Sequence, residues 1–222
     1  SLSGYASIPA PDSRHAQMAT QTGRRIVEMA WEDLKPSDIL TAASFDNAVM
    51  TTLALSGSTN AAVHLIALSK RAGFNLTLER FDELARKIPV LANVRPSGKY
   101  LMEDFFYAGG LRALLKQLSS FLNLEEKTVD GKTIGELIAN AEVFNADVIR
   151  SVENAMVKSD GLAILKGNLA PDGAVIKPPA AESHLLKHTG KAVVFKNYED
   201  LSARIDLPDL EIDANSVIVL QN

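Results

Sequence analysis

Ser44-Phe-Asp-Asn-Ala-Val-Met-Thr-Thr-Leu-Ala-Leu-Ser-Gly-Ser-Thr-Asn-Ala-Ala-Val-His-Leu65 holds two apolar segments separated by a hydroxyl-rich link. Its pattern predicts two helices back to back, Phe45 to Leu55 and Asn60 to Ala72, joined by the tight link Ser56-Gly57-Ser58-Thr59. Ser44 is placed to cap the first helix and Ser58 or Thr59 the second, because a hydroxyl there accepts an otherwise orphaned backbone N–H. Gly57 lets the backbone turn sharply between them. The second helix runs Ala61, Ala62, Val63, Leu65, Ile66, Ala67, Leu68, apolar on nearly every side, and such a helix is expected among other elements. Its N-terminus then carries free amides, a partial positive charge and short polar side chains. An anionic or hydroxylated ligand fits that end; a buried helix end that satisfies itself is the commoner case. Ser58, Thr59 and Asn60 are the pocket-lining candidates.

Outward from this pair the signals are simpler. Asp12 or Ser13 starts a helix from Arg14 to Trp31, with Met18, Ile26, Met29 and Ala30 near helical spacing and Gly23 weakening it. His15 and Arg24-Arg25 read as a solvated face more readily than as anion ligands. Lys35-Pro-Ser-Asp38 is a turn that leads into a further short helix, Ser37 to Ala42. Gly73 stops the second central helix, Thr77 caps Leu78 to Lys87, and Pro89 ends it. Val90 to Val94 is a short apolar run, and Pro96-Ser-Gly98 turns the chain. Leu101 to Leu122 is helical in pattern, broken at Gly109-Gly110. A hairpin at Gly131 precedes the helix Ile134 to Ala141, capped by Thr133. From Gly161 onward come four short apolar runs, Leu162–Leu165, Ala174–Lys177, Ala192–Lys196 and Val217–Leu220. A turn over Asn168 to Gly173 separates the first two, and Tyr198 to Ile205 forms a short helix. The organisation expected is therefore α/β, with a mostly helical domain over 1–147 and the beginning of a β-rich domain over 148–222.

Bulk properties remove several function classes. Of 222 residues 46% are hydrophobic, ample for a core. The net charge of −4 and the pI near 5.6 come without a long run of one sign, so neither nucleic acid nor an anionic membrane is an expected partner. No apolar stretch reaches the ~20 residues that span a bilayer, and a cytoplasmic protein is expected. Cysteine is absent, which excludes a disulfide scaffold, a thiolate zinc site and a cysteine-ligated cluster within these residues.

Other candidate chemistry is thin. His64 lies four residues after Asn60 and is expected as a satisfied core histidine rather than a ligand. Glu103-Asp104 reads equally as paired carboxylates near a pocket or as the acidic first turn of a helix. His184 and His188 have ligand spacing but lack the intervening glutamate of the zinc-protease pattern, and a surface pair is expected.

Three ordered blocks carry a resemblance. Ser44-Phe-Asp-Asn-Ala48 with Leu55-Ser-Gly-Ser-Thr-Asn60 is similar to the helix pair of the dihydroxy-acid and sugar-acid dehydratase family (IlvD/Edd). Pro96-Ser-Gly-Lys-Tyr-Leu-Met-Glu-Asp-Phe-Phe-Tyr-Ala-Gly-Gly110 resembles a second family block. Ile149-Arg-Ser-Val-Glu-Asn154, leading into Gly161-Leu-Ala-Ile-Leu-Lys-Gly-Asn-Leu169, resembles the entrance to the family's C-terminal domain, which is barrel-like. The resemblance implies a hydro-lyase that removes water from a 2,3-dihydroxy acid or sugar acid to give a 2-keto acid. It implies an iron–sulfur cluster, [2Fe–2S] or [4Fe–4S], acting as Lewis acid on the departing hydroxyl. It also implies magnesium on the substrate carboxylate, a serine taking the C2 proton, and a homo-oligomer. In the family pattern the cluster cysteines and a carboxylated lysine precede Ser3-Gly-Tyr-Ala-Ser-Ile-Pro9, and the serine and a metal-binding glutamate follow Ser216-Val-Ile-Val-Leu220. The expectation is thus an internal fragment, inactive by itself, with no catalytic residue and no metal ligand among these positions. The last strand of such a fragment is expected to be unpaired, an edge that invites self-association. Met102 to Gly110 is closer to the arabinonate and xylonate branch than to the branched-chain amino-acid branch. A dihydroxy-acid dehydratase and a non-catalytic scaffold on the same frame are the alternatives.

Overall fold

A computed structural model describes residues 7–221, which fall into two compact units divided after Ala180. The first holds α1 (Arg14–Trp31), α2 (Ala42–Ala54), α3 (Asn60–Arg71), α4 (Leu78–Ala85), α5 (Met102–Tyr107), α6 (Gly110–Gln117) and α7 (Ile134–Ile138). It closes with the strands β1 (Ala163–Gly167) and β2 (Ala170–Ile176). The second holds β3 (Ala192–Phe195), α8 (Tyr198–Arg204) and β4 (Val217–Leu220).

The core of the first unit is built around α2. Its N-terminus is a reciprocal capping box: the Ser44 amide donates to the Thr41 hydroxyl at 3.0 Å, and the Thr41 amide donates to Ser44 Oγ at 2.9 Å. Thr41 is therefore the cap and Ser44 its partner one turn in, so the helix begins earlier than its apolar pattern predicts. Phe45, Val49, Met50 and Leu53 are buried along it. Asn47, also buried, is satisfied at both ends, donating to the Asn123 carbonyl and accepting from the Asn123 amide, each at 2.9 Å. At the other end the Ala54 carbonyl accepts from the amides of Leu91 and Ala92, at 2.9 and 3.1 Å. Those residues belong to the apolar run 90–94, which is buried throughout and bridges to Ile149 and Val157 in place of a regular sheet.

The helix α3 differs from its expected burial. Ala62 and Ser69 are its buried residues, while Val63 and Leu68 are 66% and 56% exposed, and His64 is exposed rather than a core residue. The helix turns one stripe inward, against the core that includes α2, with Leu65 and Ile66 partly buried against it. Gly73, at φ +84°, ends it as expected. The α1 span matches its pattern, but Met29 is its one buried residue and Ile26 and Trp31 face outward. Around Pro36 the chain makes only a single 3-10 turn, Pro36–Asp38, in place of a short helix.

The strands form two separate two-stranded ladders, and no barrel closes among the described residues. β1 and β2 are antiparallel, joined by a two-residue turn at Asn168–Leu169. Ala170 to Gly173, expected as turn, instead runs inside β2, with Gly173 at φ +111° where a side chain is disfavoured. In the second unit β3 and β4 are parallel, with α8 between them in sequence, and Arg204 covers the buried Phe195 ring at 5.0 Å. The last strand is thus paired along one edge, from Val217 opposite Ala192 to Leu220 opposite Phe195, not unpaired as expected.

Candidate functional site

The link between α2 and α3 forms one wall of a cavity of about 530 Å³. Backbone constraints shape that link. Ser56 sits at φ +47°, its amide donating to the Leu53 carbonyl at 2.9 Å, and Gly57 donates to the Thr52 carbonyl at 2.8 Å. A β-carbon on Gly57 would lie 3.0 Å from Thr52 Cγ2, so the link packs against the helix it leaves.

The facing wall is the turn Val94 to Gly98. Asn93 holds it from within: its amide nitrogen donates to the Asp147 carbonyl at 3.0 Å, and its Oδ1 accepts from the Lys99 amide at 3.0 Å. Gly98 passes so close to Asn93 that a β-carbon there would lie 2.5 Å from the Asn93 carbonyl carbon. A hydrogen bond between the Ser56 and Ser97 hydroxyls, 3.0 Å, joins the two walls. Met102 at the start of α5 and Lys177 after β2 complete the lining.

Ser58 and Thr59 both line this cavity; Asn60 opens α3, is exposed, and is not part of the lining. The helix end is largely self-satisfied. The Asn60 amide donates to Ser58 Oγ at 3.2 Å, Ala61 to the Ser58 carbonyl at 3.0 Å, and Ala62 to the Thr59 carbonyl at 3.1 Å. The free amides expected there are absent, and the Thr59 hydroxyl caps no amide of its helix. What remains available is hydroxyl and cation chemistry. The cavity lining contains Arg95 and Lys177 and no carboxylate. Arg95 Nε donates to the Lys99 carbonyl at 3.3 Å. Lys177 has no ion-pair partner among the described residues, and burial pushes its ammonium below the usual lysine range. Both cations lie far in sequence from the helix pair. Their only local signals are a charge before Pro96 and a charge ending the run Ala174 to Ile176.

Three of the remaining candidates resolve into structure. Asp104 accepts from the Leu101 amide at 2.8 Å, so Glu103-Asp104 is the acidic first turn of α5. Arg25 pairs with Glu28 and Glu32 and donates to the Val129 carbonyl at 2.6 Å, tying α1 to the Gly131 turn. In the second unit His184 lies beside Glu182 at 3.4 Å, while His188 meets the Asn215 carbonyl at 2.9 Å; both are exposed.

Residues 1–137 match the dihydroxy-acid/6-phosphogluconate dehydratase N-terminal model, and residues 147–222 match the corresponding C-terminal model. The chain belongs to this dehydratase family. It is 48% identical over 223 residues to the L-arabinonate dehydratase of Rhizobium leguminosarum bv. trifolii, covering all of this chain and 38% of that protein. Identity is 47% to the 6-deoxy-6-sulfo-D-gluconate dehydratase of Pseudomonas putida, over all of this chain and 39% of that protein. It is 42% to the dihydroxy-acid dehydratase of Methanococcoides burtonii, over all of this chain and 40% of that one. The chain therefore spans about two fifths of the length of the curated relatives it matches.

The implied cluster and magnesium do not fit the residues present. The chain has no cysteine, and among the described residues no group of three His, Asp or Glu side chains converges as a metal site requires. No helix among the described residues is long and apolar enough to cross a membrane.

Proposed function

We propose that this chain is part of a hydro-lyase that dehydrates a sugar acid, a 2,3-dihydroxy acid, to a 2-keto-3-deoxy acid, and that it supplies one wall of the substrate pocket. The observation that carries the reading is the cavity at the α2–α3 link, where Ser56, Ser58, Thr59 and two cations line a space of about 530 Å³ without a carboxylate. A polyhydroxylated anion needs that combination: hydroxyl groups that donate and accept, and positive charge for the acid. Family membership supports the reaction class, and the L-arabinonate and sulfogluconate relatives support the sugar-acid branch.

In this reading Ser58 and Thr59 hydrogen-bond substrate hydroxyls, and Asn60 fixes the start of α3 beside them. An iron–sulfur cluster and magnesium belong to the complete enzyme and are held by residues other than these. The same reading places the boundary between the two family domains near residue 147, and the working protein in the cytoplasm as a homo-oligomer.

The test is 2-keto acid release by the protein as its gene encodes it, with L-arabinonate, D-xylonate and 2,3-dihydroxy-3-methylbutanoate offered in parallel. Release from a sugar acid in preference to the branched-chain acid is the expected result. Preference for the branched-chain acid would transfer the protein to the amino-acid branch, and no release from any of them would remove the enzymatic reading. Light scattering on the same preparation reads the assembly state.

A further inference from the structure

We infer that Ser56 is a positioning residue of the cavity. Its hydroxyl, bonded to that of Ser97, fixes the wall that carries Ser58 and Thr59 against the turn Val94 to Gly98, and substrate affinity follows that tie. The role rests on the sugar-acid reading above. The first observation is the backbone. α2 ends in a Schellman motif: the Gly57 amide donates back to the Thr52 carbonyl at 2.8 Å, and the Ser56 amide to the Leu53 carbonyl at 2.9 Å. That motif needs a left-handed residue where Ser56 stands, at φ +47°, and glycine is the usual choice there because a β-carbon is disfavoured. The glycine of this link comes one residue later, at 57. The other described non-glycine residues at positive φ are Asp33 and Asp160, and aspartate visits this region readily. Serine does so far less, and the fold carries a cost at 56 that glycine would remove.

The second observation is what that cost retains. Ser56 is 3% exposed, and its hydroxyl meets the Ser97 hydroxyl at 3.0 Å, 41 residues away in sequence. Glycine at 56 would keep the turn and lose this bond. Ser97 stands on a firm base, because Asn93 accepts from the Lys99 amide at 3.0 Å and the Gly98 amide donates to the Val94 carbonyl at 2.8 Å. On the other side, Ser56 leads directly through Gly57 into Ser58 and Thr59. The third observation is that the serine pair is not alone. The Ala54 carbonyl already ties the end of α2 to the amides of Leu91 and Ala92. A single attachment leaves two walls free to pivot about it. The serine pair is a second attachment, made by a residue that itself lines the cavity, and it removes that freedom before a ligand arrives. Order supplied in advance lowers the cost of binding.

The experiment compares wild type, Ser56→Gly, Ser97→Ala and the double variant, each as the protein its gene encodes, by steady-state keto-acid release from L-arabinonate and by thermal unfolding. Ser56→Gly relieves the left-handed backbone while removing the hydroxyl, and is expected to unfold at the wild-type temperature or above it. Its KM is expected to rise about 3- to 10-fold, the worth of one neutral hydrogen bond, with kcat little changed. Ser97→Ala raises KM by a similar factor, and the double variant goes no further than the larger single effect. A wild-type KM in Ser56→Gly overturns the inference, as does a rise that comes with a lowered unfolding temperature, or single effects that multiply in the double variant. No keto acid from wild type overturns the sugar-acid reading instead, and amide hydrogen exchange on the same proteins then decides the tie by itself. The amides of Asn60, Ala61 and Ala62, bonded to Ser58 and Thr59, are expected to exchange several-fold faster in Ser97→Ala while those of Val49 and Leu53 keep their rates. Unchanged exchange at 60–62 overturns the inference whatever the activity.

Discussion

The helices α2 and α3 are neighbours in sequence, similar in length and similarly rich in apolar residues, yet they end in different environments. Along α2, Val49 and Leu53 are fully buried, its first turn is closed by a reciprocal cap, and its last carbonyl is taken by two amides of the run 90–94. Along α3, the first turn is closed mainly by backbone contacts and Ser58 Oγ, and Val63 and Leu68 are open. Apolar content measures what a helix is able to bury; burial itself is set by how many other elements reach it. α2 is met by α3, α4, α6 and the run 90–94, whereas α3 has α2 along one stripe.

The largest effect that tests this contrast is a truncation on each helix. Leu53→Ala removes a fully buried side chain and is expected to cost about 2–5 kcal/mol. Val63→Ala on α3, at 66% exposure, is expected to stay within about 0.5 kcal/mol. Urea unfolding of the two variants beside wild type gives both numbers, and comparable losses would mean that α3 is covered in solution by something outside the described residues.

Capping gives the next step down. Thr41→Ala removes the hydroxyl that accepts from the Ser44 amide and is expected to cost about 1 kcal/mol. Thr59→Ala removes a hydroxyl that caps nothing and is expected to leave unfolding unchanged within about 0.5 kcal/mol. A loss at Thr59 equal to that at Thr41 would show that its hydroxyl does close the α3 turn, and would take Thr59 away from the ligand.

How much of this was legible in the sequence varies with the range of the interaction. Local chemistry reads well: α1 spans the residues its pattern predicts, Gly73 ends α3, and Thr77 caps α4 by accepting from the Arg80 amide. Ser44 was a harder case because a capping box holds two hydroxyls three residues apart, and either one satisfies the pattern. The burial of α3 and the identity of His64 depend on neighbours that no periodicity encodes. The turn expected over Asn168 to Gly173 failed because Pro171 and Gly173 signal a turn equally well inside the edge strand β2, where the bulge near Gly167 absorbs them. At the site, the hydroxyls of Ser58 and Thr59 followed from helix-start chemistry, but Arg95 and Lys177 are brought to them only by tertiary packing.

Charge ties extend the comparison to α4, which is anchored on both sides where α3 is not. On one side Arg80 of α4 donates to Asp46 of α2, with the closest contact 2.6 Å. Both partners are partly exposed, so Asp46→Asn is expected to cost only about 0.2–1 kcal/mol, and less at high salt. Unfolding measured at low and high ionic strength separates this pair from packing; a loss that salt does not reduce would assign the effect to the α2–α4 contact itself.

The smallest effect lies on the other side of α4 and is read through pH. Glu79 accepts from Lys166 of β1 at 2.6 Å, and that bond, helped by its own first-turn amide and the Thr77 hydroxyl, pushes its carboxyl down to about 2. Because the folded state holds the charged form more tightly, its stabilising contribution is present above the ordinary carboxyl range near 4.5 and is lost as pH falls through about 2. Lys166 is shifted upward by the same pair, so its share is present below the ordinary lysine range and lost as pH rises through its raised value. Glu79→Gln should therefore lower stability slightly above pH 4.5, a small loss because both groups are solvent-exposed, and flatten the acid limb between pH 4.5 and 2 so that variant and wild type converge below it. Thermal unfolding across that window reads the slope. If wild type and Glu79→Gln lose stability in parallel there, the ion pair does not hold α4 to the β1–β2 ladder, and the packing of Leu78 against Gly173, where a β-carbon would meet Leu78 Cδ1 at 3.0 Å, is what joins them.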